Sequence, residues 1–85
     1  MSLDLELPGL DPRPRSVNVG WVRDAGPEAA LHLTGPGLDA AVRIPSGAAG
    51  CVTAKLGLVI LPSEPARVRL QASRPGLLDY IEVLP

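Results

Sequence analysis

Apolar and polar residues alternate along most of this chain, and proline or glycine interrupts the alternation at short intervals. The clearest run covers residues 66–73, in the order Ala66, Arg67, Val68, Arg69, Leu70, Gln71, Ala72 and Ser73. A period of two places successive side chains on opposite faces of an extended strand, so that one face is buried and the other meets water. The pattern therefore predicts β-structure over most of the chain.

Seven segments carry this pattern: residues 3–7, 16–24, 29–34, 38–44, 52–60, 66–73 and 77–84. Because 9 glycines and 10 prolines interrupt the 85 residues, long helices are disfavoured. The one helical alternative, residues 27–33, is too short to be stable alone. We expect residues 1–85 to form a single all-β domain, an antiparallel β-sandwich of jelly-roll-like form with about seven short strands and no long helix.

The last two segments are separated by Arg74-Pro75-Gly76. Proline fixes its own φ, and glycine accepts the positive φ that a tight reversal often needs. The sequence therefore predicts that residues 66–73 and 77–84 pair as a C-terminal hairpin. In the segment before them, the alternation predicts one buried row made of Val52, Ala54, Leu56, Leu58 and Ile60.

Composition and charge exclude several classes of function. The formal net charge is −1 and no basic stripe is present, so we expect no nucleic-acid partner. No apolar run approaches the ~20 residues that cross a bilayer, so we expect no membrane segment. The first residues lack the basic and apolar regions of a signal peptide. Cys51 is the single cysteine, which rules out an intrachain disulfide, and it is expected to be a small buried hydrophobe.

Catalysis has few candidate residues. His32 is the only histidine, and its place on the polar face of a strand favours a solvated or locally hydrogen-bonded side chain over a role in a nucleophilic triad. One histidine and one cysteine do not make a typical zinc site. Asp79 and Glu82 lie three residues apart, on opposite faces of a strand, so they could not flank one glycosidic bond. We expect that the protein is not an enzyme.

Two C-terminal segments carry a family resemblance: VRLQAS at residues 68–73 and LLDYIEV at residues 77–83. They resemble the closing strands of galactose-binding-like β-sandwiches, in particular carbohydrate-binding modules of families 6 and 35, which often end on Asn-(Leu/Ile)-Asp-Tyr-Ile-Glu. The similarity extends to residues 17–24, 40–50 and 52–61. It implies a non-catalytic accessory domain that binds an oligosaccharide, with an extracellular address.

The resemblance also implies a metal site. In the family, the aspartate that matches Asp79 helps to hold a structural calcium with acidic residues of the first strand, where Glu6 or Asp4 could supply the partner. On its own strand, Asp79 alternates in step with Ile81 and Val83, so its carboxylate is expected to point partly inward. A buried carboxylate there could equally accept backbone donors or pair with an arginine.

Trp21 and Tyr80 are the only aromatic residues that could stack on a sugar. Both lie in strands with apolar neighbours, so core packing is the favoured interpretation of each. The family's cleft aromatic would fall at Gly50 or Cys51, and its sugar-binding asparagine at Leu77, so the usual cleft is largely absent.

The alternative function is a structural or interaction sandwich that docks on a catalytic domain or a partner chain and binds no sugar. An exposed Trp21 or Tyr80 beside polar groups would favour the sugar-binding module. Two buried rings, with an apolar patch elsewhere on the surface, would favour docking.

Overall fold

A computed structural model describes residues 2–9, 11–61 and 63–84, and it confirms the all-β prediction. The strands are β1 (Ser2–Leu7), β2 (Pro14–Arg23), β3 (Ala29–Gly35), β4 (Leu38–Ile44), β5 (Gly50–Ile60), β6 (Ala66–Ala72) and β7 (Gly76–Leu84). Each strand matches a predicted segment closely, and the helical alternative is replaced by β3. No helix in the described part of the chain is long and apolar enough to cross a membrane.

The strands form two antiparallel sheets that pack face to face as a small β-sandwich. One sheet has the order β1–β6–β3–β4 and the other has the order β5–β2–β7. The pairs β1–β6 and β2–β5 are nested around the β3–β4 hairpin, as in a jelly-roll-like winding, and β7 is added beside β2. The nested pairs bring strands that are distant in sequence to both sides of one core.

The core between the sheets is aliphatic and surrounds a single indole. Its largest fully buried side chains are Trp21, Leu31, Leu33, Leu61, Leu70, Val17, Val19 and Val68. Gly76 lies directly against the indole, because a Cβ at that position would be 2.4 Å from Nε1 of Trp21. The missing side chain at position 76 therefore makes the room that the one large ring needs.

A buried arginine joins two loops at one end of the sandwich. Arg23 is 6% exposed, and its guanidinium donates to the main-chain carbonyls of Asp24, Gly26, Pro27 and Pro45. Gly26 and Gly47 also exchange two main-chain hydrogen bonds, of 3.1 and 3.2 Å. The β2–β3 and β4–β5 loops are thus held together by main-chain oxygens that satisfy the buried donors.

The predicted C-terminal hairpin is wrong. β6 pairs with β1 on one side and with β3 on the other, so both of its edges are already hydrogen-bonded, and β7 crosses to the other sheet to pair with β2. The end of β6 is held against β3 by Ser73, whose backbone N–H donates to the carbonyl of Ala30 at 3.0 Å. The Ser73 Oγ accepts the Ala30 N–H at 2.8 Å. Arg74-Pro75 therefore connects two sheets and does not turn within one.

A β-bulge in β5 reverses the alternation of its second half. The ladder with β2 shifts register so that Leu56 is the extra residue, next to Gly57, whose φ is +88°. Because an extra residue moves every later side chain to the other face, Leu58 and Ile60 point to solvent. The predicted buried row is therefore wrong for these two residues.

A second bulge lies in β7. Leu78 and Tyr80 take part in the ladder with β2, and Asp79 is the extra residue between them. Asp79 is exposed, so the prediction of an inward carboxylate is wrong, while Ile81 and Val83 are half-buried against the core. The bulge separates the orientation of Asp79 from that of the two residues it was expected to follow.

Candidate functional site

All the large hydrophobic side chains that the described structure leaves exposed lie on one surface. They are Leu58, Ile60, Leu77, Tyr80 and Leu84, with between 40% and 71% of each exposed. β5 and β7 carry them, on the side of the three-stranded sheet that points away from the core. This surface is called the apolar face below.

The ladder register arranges the apolar face in rows that cross the three strands, with β2 in the middle. In turn, β5, β2 and β7 contribute Cys51, Val22 and Leu77; Thr53, Gly20 and Tyr80; Lys55, Asn18 and Glu82; Leu58, Ser16 and Leu84; and finally Ile60 with Pro14. Most of the large aliphatic side chains lie on the two outer strands. One polar row crosses the face at its centre.

Tyr80 lies over the middle strand. A Cβ on Gly20 would be 2.1 Å from Cε1 of the tyrosine, so the ring rests on the glycine backbone. Its hydroxyl is hydrogen-bonded to Oγ1 of Thr53 at 3.0 Å, which joins β7 to β5 across β2. The predicted core packing of Tyr80 is wrong, because 41% of the residue is exposed on the apolar face.

The central row carries opposite charges at its two ends. Nδ2 of Asn18 donates to Oε1 of Glu82 at 3.0 Å on the β7 side. Lys55 lies on the β5 side of Asn18, and it makes no ion pair within the described part of the chain. The apolar face is thus crossed by a positive and a negative group that a neutral amide separates.

Cys51 also lies on the apolar face, as an exposed free thiol. The prediction of a small buried hydrophobe is wrong here, because β5 already begins at Gly50 and Cys51 takes an outward position opposite Val22. The half-buried Val52 packs against the core instead.

The outer face of the four-stranded sheet is polar. Its strands present Asp4, Glu6, His32, Thr34, Asp39, Arg43, Arg67, Arg69 and Gln71. Three pairs lie on it or at its border: Arg69–Asp4 at 3.0 Å, Arg43–Glu28 at 3.2 Å and His32–Asp39 at 2.5 Å. The local hydrogen bond of His32 agrees with the interpretation that the sequence favoured.

The structure separates the predicted site residues. Trp21 is 1% exposed, which confirms core packing and leaves the indole no free face for a sugar. Asp79 and Glu6 are both exposed, but they belong to β7 and β1, which lie in different sheets. The described residues include no group of three or more His, Cys, Asp or Glu side chains that could hold a metal ion. Asp79 and Glu6 therefore do not fit the calcium site that the resemblance implies.

A cleft of about 540 Å³ opens between β4 and β5, where the edges of the two sheets meet. Val42, Ile44, Val52 and Ala54 are among its apolar lining residues, and Arg23, Arg43 and Lys55 supply its charge. Arg23 is already bound to carbonyls and Arg43 pairs with Glu28, so Lys55 is the cation that stays available. The lining offers no acid, histidine or cysteine for chemistry.

Sequence reasoning missed the apolar face as a unit. Its signal was Gly57, since a lone glycine inside a strand pattern often marks a bulge. A bulge at that position predicts that Leu58 and Ile60 point outward, because it reverses the alternation of every residue after it.

A comparison of the chain with known protein families, curated protein sequences and solved structures found no match. The resemblance to carbohydrate-binding modules of families 6 and 35 therefore stays a prediction. The fold and the two outer faces are what the functional argument has to use.

Proposed function

We propose that the protein is a non-catalytic interaction module that docks on another protein surface through the apolar face. One observation carries the proposal: within the described residues, all five exposed large hydrophobic side chains lie on this face. Contiguous apolar patches on soluble proteins commonly mark interaction sites, because water-exposed leucines gain free energy when a partner covers them.

The exposed side chains have most of that free energy still to gain. Complete burial of a leucine or isoleucine side chain contributes about 1.5–3 kcal/mol relative to full exposure. Leu58 and Leu77 are 71% and 66% exposed, so the folded chain alone obtains little of it. A partner with an aliphatic sheet or helix face would bury these side chains.

A photo-activated cross-linker in place of Leu77 tests the proposal in the cells that make the protein. We expect one discrete cross-linked partner, because Leu77 is exposed on the apolar face. The matched control carries the same cross-linker in place of Gln71, which is exposed on the other sheet, and should give no discrete product. Equal yields from the two positions would contradict docking through the apolar face.

Tyr80 favours a second candidate, a carbohydrate-binding-module-like accessory domain. Its ring lies on Gly20 with 41% of the residue exposed, and Asn18 and Glu82 form the next row. An exposed ring beside an amide and a carboxylate offers a stacking surface and hydrogen-bonding groups to a sugar.

Titration of the labelled protein with a panel of oligosaccharides tests this candidate by NMR. We expect chemical-shift changes at Tyr80 and Asn18 with a bound sugar, and their loss in Tyr80→Leu. That variant keeps the apolar surface, so docking on a protein should survive it. A panel without any shift at Tyr80 would leave docking as the function.

A further inference from the structure

We propose that the apolar face packs on a second copy of this chain, about a twofold axis that runs parallel to β2. The inference rests on the proposed docking function and names its partner. It is carried by the central row, in which Lys55 on β5 and Glu82 on β7 lie on opposite sides of Asn18. A face that carries both charges in this order is complementary to itself.

The symmetry makes the complementarity explicit. A twofold axis along β2, between two facing sheets, keeps each row opposite the same row and places β5 of one copy over β7 of the other. Lys55 of each copy then faces Glu82 of the other, so the contact contains two ion pairs. Packed sheets lie about 10 Å apart, a gap that an extended lysine and a glutamate can span together.

The other rows fit the same arrangement. Leu58 of one copy faces Leu84 of the other, which buries two of the exposed leucines. Facing sheets are rotated by about 30° because of their twist, so the central row moves least and the charged pairs stay in register. On the middle strand, Gly20 and Ser16 leave room for the two faces to approach.

The charges also decide between the two in-plane axes. A twofold axis across the strands at the central row would place Lys55 on Lys55 and Glu82 on Glu82. Like charges brought together in an interface cost free energy, so this arrangement is disfavoured. Apolar burial supplies most of the attraction, and the charged row selects the orientation.

Edge-to-edge pairing is the competing route to association of a β-sandwich. β5 and β7 are the edges of the three-stranded sheet, and each carries a bulge, at Leu56 and at Asp79 respectively. A bulge interrupts the regular row of backbone donors and acceptors that an added strand requires. The face, and not these edges, is therefore the surface that is open to a second copy.

The size of the face sets the expected strength. Three strands about 4.8 Å apart and about ten residues long give about 480 Å² per copy, or about 1,000 Å² in total. Contacts of this size belong to the weak and transient class of protein interfaces. The dimer should therefore form at high protein concentration and dissociate on dilution.

Sedimentation equilibrium from about 1 µM to about 1 mM tests the proposal. We expect a concentration-dependent dimer, and Lys55→Glu or Glu82→Lys should each weaken it at least about tenfold, because both ion pairs become repulsive. The swap Lys55→Glu/Glu82→Lys should restore it. An equal mixture of the two single variants should form a heterodimer at concentrations where each alone is monomeric.

Matched controls lie on the polar outer face. Arg67→Glu changes the net charge as Lys55→Glu does, and Glu6→Lys changes it as Glu82→Lys does. Both should leave the dimer unchanged, because both residues are exposed on the other sheet. Single variants that behave like these controls, or a mixture that stays monomeric, would overturn the proposed arrangement.

A second readout uses the native thiol. A spin label on Cys51 of one copy should broaden NMR signals around Leu77 of an isotope-labelled Cys51→Ser copy, because the axis along β2 brings these positions together. A wild-type chain that stays monomeric throughout overturns self-association. If the cross-linker at Leu77 then still captures a different protein, the docking function stands, and if it captures none, both proposals fail.

Discussion

The two sheets share one core, but their outer faces differ in nearly every physical respect. The four-stranded sheet keeps its register without interruption and presents charged side chains that pair with one another. The three-stranded sheet has a register shift in each of its ladders and presents leucine, isoleucine and tyrosine to water. One sheet is amphipathic, and the other is apolar on both sides.

The difference shows that the same alternating sequence can build two kinds of surface. Without a bulge, each polar residue of the alternation reaches solvent, and the sheet ends at a wet face. With one extra residue, the phase of the alternation reverses within the strand, and apolar residues reach both sides. The three-stranded sheet therefore has one face for the core and a second face available to a partner.

The largest contrast should come from one substitution made on both sides of the sandwich. Leu33 is fully buried and Leu77 is 66% exposed. We expect Leu33→Ala to lower the free energy of unfolding by about 2–5 kcal/mol, through lost burial and a cavity. Leu77→Ala should change it by no more than about 0.5 kcal/mol. Urea unfolding at low protein concentration, where the chain is monomeric, measures both values.

A large loss of stability in Leu77→Ala would break the comparison, because it would place the apolar face within the folding core. If Leu33→Ala leaves the chain unfolded, Leu33→Val provides the same contrast with a smaller cavity. Its cost should be about 1 kcal/mol, still above that of Leu77→Ala.

The bulge in β5 should produce an intermediate effect. Gly57 has φ of +88°, and a Cβ there would meet no atom within 4 Å, so backbone strain alone opposes a side chain. We expect Gly57→Ala to cost about 1–2 kcal/mol in urea unfolding. Gly47→Ala is the control, since that position is equally open and its φ lies outside the left-handed region. Equal costs at the two positions would mean that Gly57 is not required for the bulge.

Much of the fold could be predicted from the sequence, because local alternation encodes it. The four-stranded sheet is the clearest case, since residues 66–73 alternate and the observed β6 buries Val68 and Leu70 as expected. The core position of Trp21 follows from the same pattern. In these strands each residue has a ladder partner, so the sequence period and the structural period agree.

Pairing of the last strands depended on information that no local pattern contains. Arg74-Pro75-Gly76 is compatible both with a hairpin and with a connection between sheets. Which one forms is decided by β1 and β3, which occupy both edges of β6. Long-range competition for hydrogen bonds therefore overrode a strong turn signal.

The candidate site was harder to predict than the fold, because it depends on the two bulges together. Leu58 reaches the surface through the bulge at Leu56, and Leu77 and Tyr80 share a face only because Asp79 is skipped between their strand positions. The row that joins Lys55 to Glu82 likewise requires the register of both ladders. Such a constellation becomes visible only when three strands are aligned.

The smallest expected effect concerns the ion pairs of the polar outer face. Arg69 Nε and Asp4 Oδ1 are 3.0 Å apart, but both side chains are 55% exposed, so water screens the pair and ordering two flexible groups costs entropy. A double-mutant cycle with Asp4→Ala and Arg69→Ala should give a coupling free energy of about 0.5 kcal/mol or less, decreasing further with added salt. A coupling well above 1 kcal/mol would mean that this face contributes to folding through its charges. A small coupling means that its charges mainly keep one side of the sandwich wet, which leaves the apolar face as the side that is free to associate.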